Sequence, residues 1–109
     1  MLMHIKNIIW ILDRMKANVD EAEKYIKKAD HALKAQDHEL ADWCVLMSKK
    51  HMEFNADGER LLERHCMELE RASGGGELMG AVKMMVHDKR AWIADEAAEV
   101  RIMHETYGR

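Results

Sequence analysis

The sequence LADWCVLMSKKHMEFNADGERLLERHCMELERA, residues 40–72, decides the fold of this chain. Taken at alternating spacings of four and three residues, its seam consists of Leu40, Cys44, Met47, His51, Phe54, Gly58, Leu61, His65 and Ala72. This spacing predicts a long amphipathic α-helix whose seam packs against a neighbouring helix. Two histidines and a glycine stand where leucine would pack better, so we expect any functional centre to lie along this seam.

The residues before this stretch predict another long helix, at about residues 2–35. Its seam keeps the same spacing and consists of Ile5, Ile8, Leu12, Met15, Val19, Ala22, Ile26, Ala29 and Leu33. Five consecutive apolar residues, 8–12, cover the whole circumference of the helix because successive residues turn by ~100°. We therefore expect Trp10 and Ile11 to point away from the core, towards a neighbouring helix or a second chain.

Two short segments separate the helices. Asp37 is a good N-cap for the middle helix, at about residues 38–72, and the glycines of Ser73–Gly76 end it. A third helix, at about 77–107, has a seam of Leu78, Val82, Met85, Lys89, Trp92, Glu96, Val100, Met103 and Tyr107, widened by Val86, Ile93 and Ala97. The sequence thus predicts an all-α antiparallel bundle of three long helices, forming a single domain over residues 1–109.

A bundle of three such long helices has a thin core, and several apolar residues lie off its seams. These residues are Trp43, Leu46, Met52, Leu62 and Met84. A homodimer that completes a bundle of four or more helices would bury them. We therefore predict oligomerisation, with Trp10, Ile11, Trp43 and Met84 as the partner-binding residues. Gly58 predicts the close approach of another helix.

Composition limits the class of protein. The chain has 109 residues, 48% hydrophobic and 34% charged, with no proline and a net charge of −3. The acidic balance argues against a nucleic-acid partner. No apolar run is long enough for a membrane span or a signal core. Cys44 and Cys66 lie ~33 Å apart on one predicted helix, too far for a disulfide. We expect a cytoplasmic protein with two free thiols.

The residue pattern argues against several chemistries. Neither cysteine has a histidine three or four residues away, and the glycine loop lacks the spacing of a phosphate-binding loop. No Glu-x-x-His pair of a di-iron bundle site occurs beside any of the seven histidines. We therefore predict no catalytic residue and no cofactor. One alternative stays open, a divergent metal site built across a dimer from His51, His65, Glu68 and Glu96.

Three segments carry a resemblance to a known family. VDEAEKYIKKAD (19–30), DHELADWCVLMSKKHMEF (37–54) and VRIMHETYGR (100–109) resemble small ferritin-like helical proteins of phages and prophages in gut Firmicutes. The resemblance implies a ferritin-like bundle. It also implies metal-ligand positions that correspond here to Asn18, His51 and Phe54, so the ligand set is broken.

Together these features predict a binding protein and not an enzyme. The phage resemblance implies an inhibitor-type protein that acts on a host or phage protein. A ferritin-like metal-binding protein is the alternative.

Overall fold

The computed structural model describes residues 2–109, which form three helices connected by two short turns. Helix α1 spans Leu2–Lys34, α2 spans His38–Ser73 and α3 spans Glu77–Thr106. Residues 2–109 contain no strand, so the predicted all-α class and three-helix organisation are confirmed. Each helix end lies within one residue of its predicted position. None of the helices in this part of the chain is long and apolar enough to cross a membrane.

Local chemistry explains both turns. The Asp37 carboxylate accepts a hydrogen bond from the Leu40 backbone N–H at 3.2 Å, as expected of the predicted N-cap. At the other end of α2, Gly74 adopts a left-handed conformation, φ 69°, and donates its N–H to the Glu70 carbonyl at 3.0 Å. Glycine adopts this conformation without strain, so the helix ends here. Each turn reverses the chain, so α1 and α3 run parallel and α2 runs antiparallel to both.

Helix α1 is the centre of the bundle. Its predicted seam is correct, since Ile8, Leu12, Met15 and Val19 are all buried in the main core cluster. α1 packs most extensively on α2 and less on α3, whereas α2 and α3 barely touch. A smaller cluster around Ile26 closes the end of the bundle near the first turn. The bundle is therefore an α1–α2 hairpin with α3 laid along one side.

The predicted seam of α2 is correct near the first turn, where Cys44 is buried, but not along its whole length. Phe54 and Leu61, which we expected in the core, are exposed, whereas Leu62, which we placed off the seam, is fully buried. The buried residues of α2 are Ala41, Cys44, Ser48, Asn55, Leu62 and Leu69. The cause is that α1 and α3 contact α2 from the front and from one flank only. Of the predicted seam, Cys44 is buried and Gly58 contacts Met15 of α1, whereas Phe54 and Leu61 lie at the edge of that interface.

Helix α3 shows a similar shift. Leu78, Lys89 and Trp92 are exposed although they belong to the predicted seam. The buried residues are Met79, Val82, Val86, Ile93, Ala97 and Val100, so the positions predicted to widen the stripe form its centre. A helix with apolar residues on several faces has no single orientation that its sequence prefers, and neighbouring helices select one.

The molecule is slender. Its principal extents are 57 × 19 × 14 Å and its Cα radius of gyration is 17.1 Å, against about 13 Å for a compact domain of this length. The elongated shape leaves large apolar side chains on the surface, among them Trp10, Trp43 and Met84.

Candidate functional site

The α1–α2 hairpin has two flanks, and α3 covers one of them. Lys16 of α1 lies 3.8 Å from Glu96 of α3, and Glu59 of α2 pairs with Arg90 of α3, so α3 occupies the flank that carries Lys16 and Glu59. On the other flank the two helices form a groove, which we call the open groove. Its deepest part has a volume of about 210 Å³. It is lined by Trp10, Ile11, Arg14, Met15, Asn18, Phe54, Asp57, Gly58 and Leu61.

Gly58 sets the depth of the open groove. A Cβ atom at this position would lie 2.6 Å from Cγ of Met15, which is closer than non-bonded carbon atoms in proteins approach each other. The predicted close approach of another helix at Gly58 is therefore confirmed, and the helix is α1. Because α1 comes so close, Phe54 and Leu61 lie at the edge of the interface with about half of each side chain open to solvent.

A row of aromatic rings continues the open groove towards the first turn. The ring centroids of Trp43 and Tyr25 are 5.6 Å apart in an edge-to-face arrangement, and the Tyr25 ring stacks on His51 at 5.7 Å. His51 in turn meets Phe54 edge to face at 5.9 Å. Aromatic pairs at such distances stabilise each other by about 0.5–1.5 kcal/mol. The row is therefore a fixed apolar surface that is partly open to solvent.

His51 has a structural partner inside this row. Its Nδ1 lies 3.0 Å from Oδ1 of Asn18, so the ring nitrogen donates and the amide oxygen accepts. Asn18, His51 and Phe54 are the three positions at which the resemblance implies metal ligands, and they lie together here. The His51 imidazole contacts both the Asn18 amide and the Phe54 ring. These contacts give the three side chains a structural role between α1 and α2.

A buried serine–histidine pair has the distances of a catalytic dyad but not its accessibility. Ser48 Oγ donates to the Ala22 carbonyl at 2.6 Å and lies 2.7 Å from His104 Nε2, so it accepts a hydrogen bond from that nitrogen. Ser48 is fully buried, and its proton is already engaged. The pair therefore connects α1, α2 and α3 at one point. Burial, with a smaller effect from Lys49, lowers the pKa of His104.

A second surface groove, of about 600 Å³, lies on the other side, between α2 and α3. It exists because α3 presents small residues there, including Ala91, Ala94 and Ala97. Its main cation, Arg90, is paired with Glu59 and Glu63. Burial raises the pKa of the Cys66 thiol on its wall, which disfavours the reactive thiolate. Arg90 is thus engaged in ion pairs, and Cys66 is a poor nucleophile.

The predicted partner-binding residues lie in three environments. Trp10 is 62% exposed on the open groove, and Trp43 is about half exposed at the end of the aromatic row. Met84 is 69% exposed but belongs to α3, away from the open groove. Ile11 is only 3% exposed and belongs to the main core cluster, so of the two expected alternatives a neighbouring helix, and not a second chain, covers it. α2 packs against this part of α1 and covers Ile11 within the chain itself.

The four residues of the alternative metal site are not assembled within one chain. His65 and Glu68 are neighbours, with Nδ1 and Oε2 4.0 Å apart, whereas His51 is bonded to Asn18. Glu96 lies on the α3 flank beside Lys16, and burial together with the neighbouring carboxylate of Asp20 raises its pKa. A site that unites all four across a dimer stays a prediction.

A third residue, which was not predicted from the sequence, lies beside His65 and Glu68. His4 of α1 lies 3.7 Å from the Glu68 carboxylate, and the two histidine rings are 5.9 Å apart. Hairpin geometry contains the signal that would have found it. In an antiparallel pair joined by a turn at 35–37, partners lie at about equal distances from the turn, which places His4 opposite residues 65–68.

Comparison with known proteins adds no relative to this description. No family model, no curated protein sequence and no solved structure matches the chain.

Proposed function

We propose that this protein is a non-catalytic interaction protein that binds an amphipathic helix of a partner protein in the open groove. The observation that carries the proposal is the row of partly exposed apolar and aromatic side chains on the flank that α3 leaves uncovered. Trp10, Phe54 and Leu61 line this groove, and Trp43 extends the row. Aromatic side chains that are held rigidly and half exposed are typical of sites where one protein anchors another.

A helix fits the open groove better than a strand or a small molecule. Two antiparallel helices with a third on one flank lack the fourth member of a four-helix bundle, and the uncovered flank is where that member would pack. The groove is shallow and has no enclosed chamber, as expected for a ridge of side chains that enters between two helices. Arg14 and Asp57 at its edges carry opposite charges, so a helix with both signs beside its apolar stripe is favoured.

The polar groups between the helices support binding without catalysis. His51 is hydrogen-bonded to Asn18, and Ser48 is hydrogen-bonded to Ala22 and His104. Each is therefore engaged in holding the helices together. The resemblance to phage and prophage proteins adds the more specific proposal that the partner is a host or phage protein and that binding inhibits it. A ferritin-like origin of the bundle belongs to the same proposal.

We further propose that a second copy of the chain occupies the open groove when no partner is present. Two copies placed face to face would bury Trp10 and Phe54 of both chains in a shared four-helix core. Such an interface is the same on both subunits, as in the commonest type of homodimer. Partner binding then competes with self-association. Cys44 and Cys66 are both free, which supports the proposed cytoplasmic location.

The experiment compares two matched variants. Phe54→Glu places a charge in the open groove, whereas Met67→Glu places the same charge on an exposed methionine of α2 that does not line it. Each protein is used to capture partners from native host lysate, and a captured protein is then purified and its affinity is measured. We expect wild type and Met67→Glu to bind equally and Phe54→Glu to lose at least about tenfold in affinity, as for a central interface residue.

Two results would contradict the proposal. One is equal loss of binding in both glutamate variants, and the other is unchanged binding in Phe54→Glu. Met84→Glu tests the remaining predicted contact on α3, and we expect it to bind like wild type. Circular dichroism of each variant establishes that the bundle is intact.

A further inference from the structure

The strongest unassigned feature is a cluster of two histidines and a glutamate at one end of the α1–α2 hairpin. His4 lies in the first turns of α1, and His65 and Glu68 lie one turn apart near the end of α2. We propose that His4, His65 and Glu68 bind one divalent transition-metal ion, with zinc as the preferred ion. The site is independent of the proposed partner groove, because none of its three residues lines that groove.

The distances are close to those that a metal requires. One ligand atom from each residue lies within 4.8 Å of the other two. The Glu68 carboxylate oxygen is 3.7 Å from Nδ1 of His4 and 4.0 Å from Nδ1 of His65. Ligands about 2.1 Å from a tetrahedral zinc ion are about 3.4 Å from one another. Side-chain rotations that move each ligand atom by less than about 1 Å would therefore bring the three atoms into coordination.

The hydrogen-bonding state of the histidines points to a ligand. Nδ1 of His4 and Nδ1 of His65 are both buried from solvent and have no hydrogen-bond partner. A buried polar atom without a partner destabilises the fold, because it loses its hydrogen bonds to water and gains none in return. Two such nitrogens beside one carboxylate are a costly arrangement for the folded chain alone. A cation between them would satisfy both lone pairs and neutralise Glu68.

The donor set selects the class of ion. Two imidazole nitrogens and one carboxylate oxygen suit zinc and the neighbouring first-row metals, whereas magnesium and calcium prefer oxygen ligands alone. Three protein ligands leave at least one coordination position, which water would fill. The Glu68 side chain is 45% exposed, so solvent reaches this side of the cluster.

Metal binding would connect the start of α1 to the end of α2. The first turn of α1 carries no acidic residue to favour its positive end, so this end lacks one common source of stability. A bond from His4 through the ion to His65 and Glu68 would replace it. We therefore expect zinc to slow amide hydrogen exchange in residues 2–8 more than in the central turns of α1.

The test uses the full chain without an affinity tag, titrated with zinc chloride by calorimetry. We expect one ion per chain and a rise in melting temperature with zinc concentration, because the ion binds the folded state. His4→Gln and Glu68→Gln should each weaken zinc binding by more than about tenfold. His38→Gln, an exposed histidine at the start of α2, should bind zinc like wild type.

Several experimental outcomes would contradict the proposal. It is wrong if zinc produces neither heat nor stabilisation, or if His4→Gln and Glu68→Gln bind zinc as tightly as the wild type does. A second measurement avoids dependence on variants: cobalt bound in place of zinc should shift or broaden the imidazole NMR signals of His4 and His65 together. Signals of other histidines changing first would also overturn the assignment.

Discussion

At the scale of single residues, a few side chains determine how closely the helices approach. Gly58 lets α1 and α2 touch, and Ser48 joins all three helices through Ala22 and His104. Ser48 lies outside the apolar stripes that predict the fold, and Gly58 occupies a position in one of them without an apolar side chain. Their effect comes from size in one case and from a buried hydrogen-bond network in the other, so each leads to a specific prediction.

Replacing Gly58 by alanine should destabilise the protein. The new methyl group would collide with Cγ of Met15, and overpacking of this kind costs about 1–3 kcal/mol. Better helix propensity returns about 1 kcal/mol, so we expect a net loss of about 1 kcal/mol in the free energy of unfolding, measured with urea. Gly80→Ala is the matched control. An added Cβ there meets no atom within 4 Å, so we expect that variant to gain about 0.5–1 kcal/mol.

His104 should make stability depend on pH. Its pKa is lowered in the folded state, chiefly by burial, so below its ordinary value of 6.5 the unfolded chain binds more protons than the folded chain. Stability is therefore lost as the pH falls through that value and levels off below the folded pKa. The urea midpoint should fall between about pH 7.5 and about pH 5.5, and part of this fall should be absent in His104→Gln. The assignment is wrong if the urea midpoint of His104→Gln falls as far as that of the wild type. His87→Gln, which replaces an exposed histidine, serves as the control.

At the scale of helices, α3 is the least firmly attached element. It contacts α1 through apolar residues and through Lys16, whose Nζ lies 4.2 Å from the Trp92 ring centre. Its connection to α2 depends on Arg90, which pairs with Glu59 and Glu63, and on Lys83, which binds Glu70 at 2.7 Å. The wide groove between α2 and α3 follows from this sparse contact. α3 should thus be the first helix to open.

Arg90→Gln should loosen α3 selectively. Loss of the paired, half-buried guanidinium should lower stability by about 0.5–1 kcal/mol. Amide hydrogen exchange should become faster in α3 before it does so in α1. Added salt should lower the stability of the wild type towards that of Arg90→Gln, because it screens the ion pairs. Arg60→Gln removes an exposed pair with Asp57 within α2, and we expect almost no effect there. Equal exchange rates in α3 of wild type and Arg90→Gln would refute this prediction.

At the scale of the whole molecule, the slender shape is the reason that we propose self-association. A chain with extents of 57 × 19 × 14 Å leaves Trp10, Phe54 and Trp43 on its surface. Exposed apolar surfaces of this kind usually mark interaction sites. Either the proposed partner helix or the proposed second copy would add a layer of helix to the bundle and cover these side chains.

We expect purified protein to form a dimer at micromolar concentration, as measured by light scattering. Phe54→Glu should be monomeric, and Met67→Glu should remain dimeric. Small-angle X-ray scattering adds a geometric criterion. A dimer formed through the open groove keeps a longest dimension near the 57 Å of one chain, whereas end-to-end association nearly doubles it. A strict monomer, or a dimer that Phe54→Glu leaves intact, would oppose the proposed interface.

The sequence by itself determined the three helices, the turns at Asp37 and Gly74, and the core face of α1. These features depend on local hydrogen bonds, caps and the 3.6-residue period, which adjacent residues specify. Only the tertiary structure decided which flank of α2 is buried, because apolar side chains such as Phe54 and Leu62 lie on both sides of it. It also set the distances within the cluster of His4, His65 and Glu68, whose approximate pairing the hairpin implies. Such choices depend on how helices distant in sequence fit together, and periodicity contains no information about that fit.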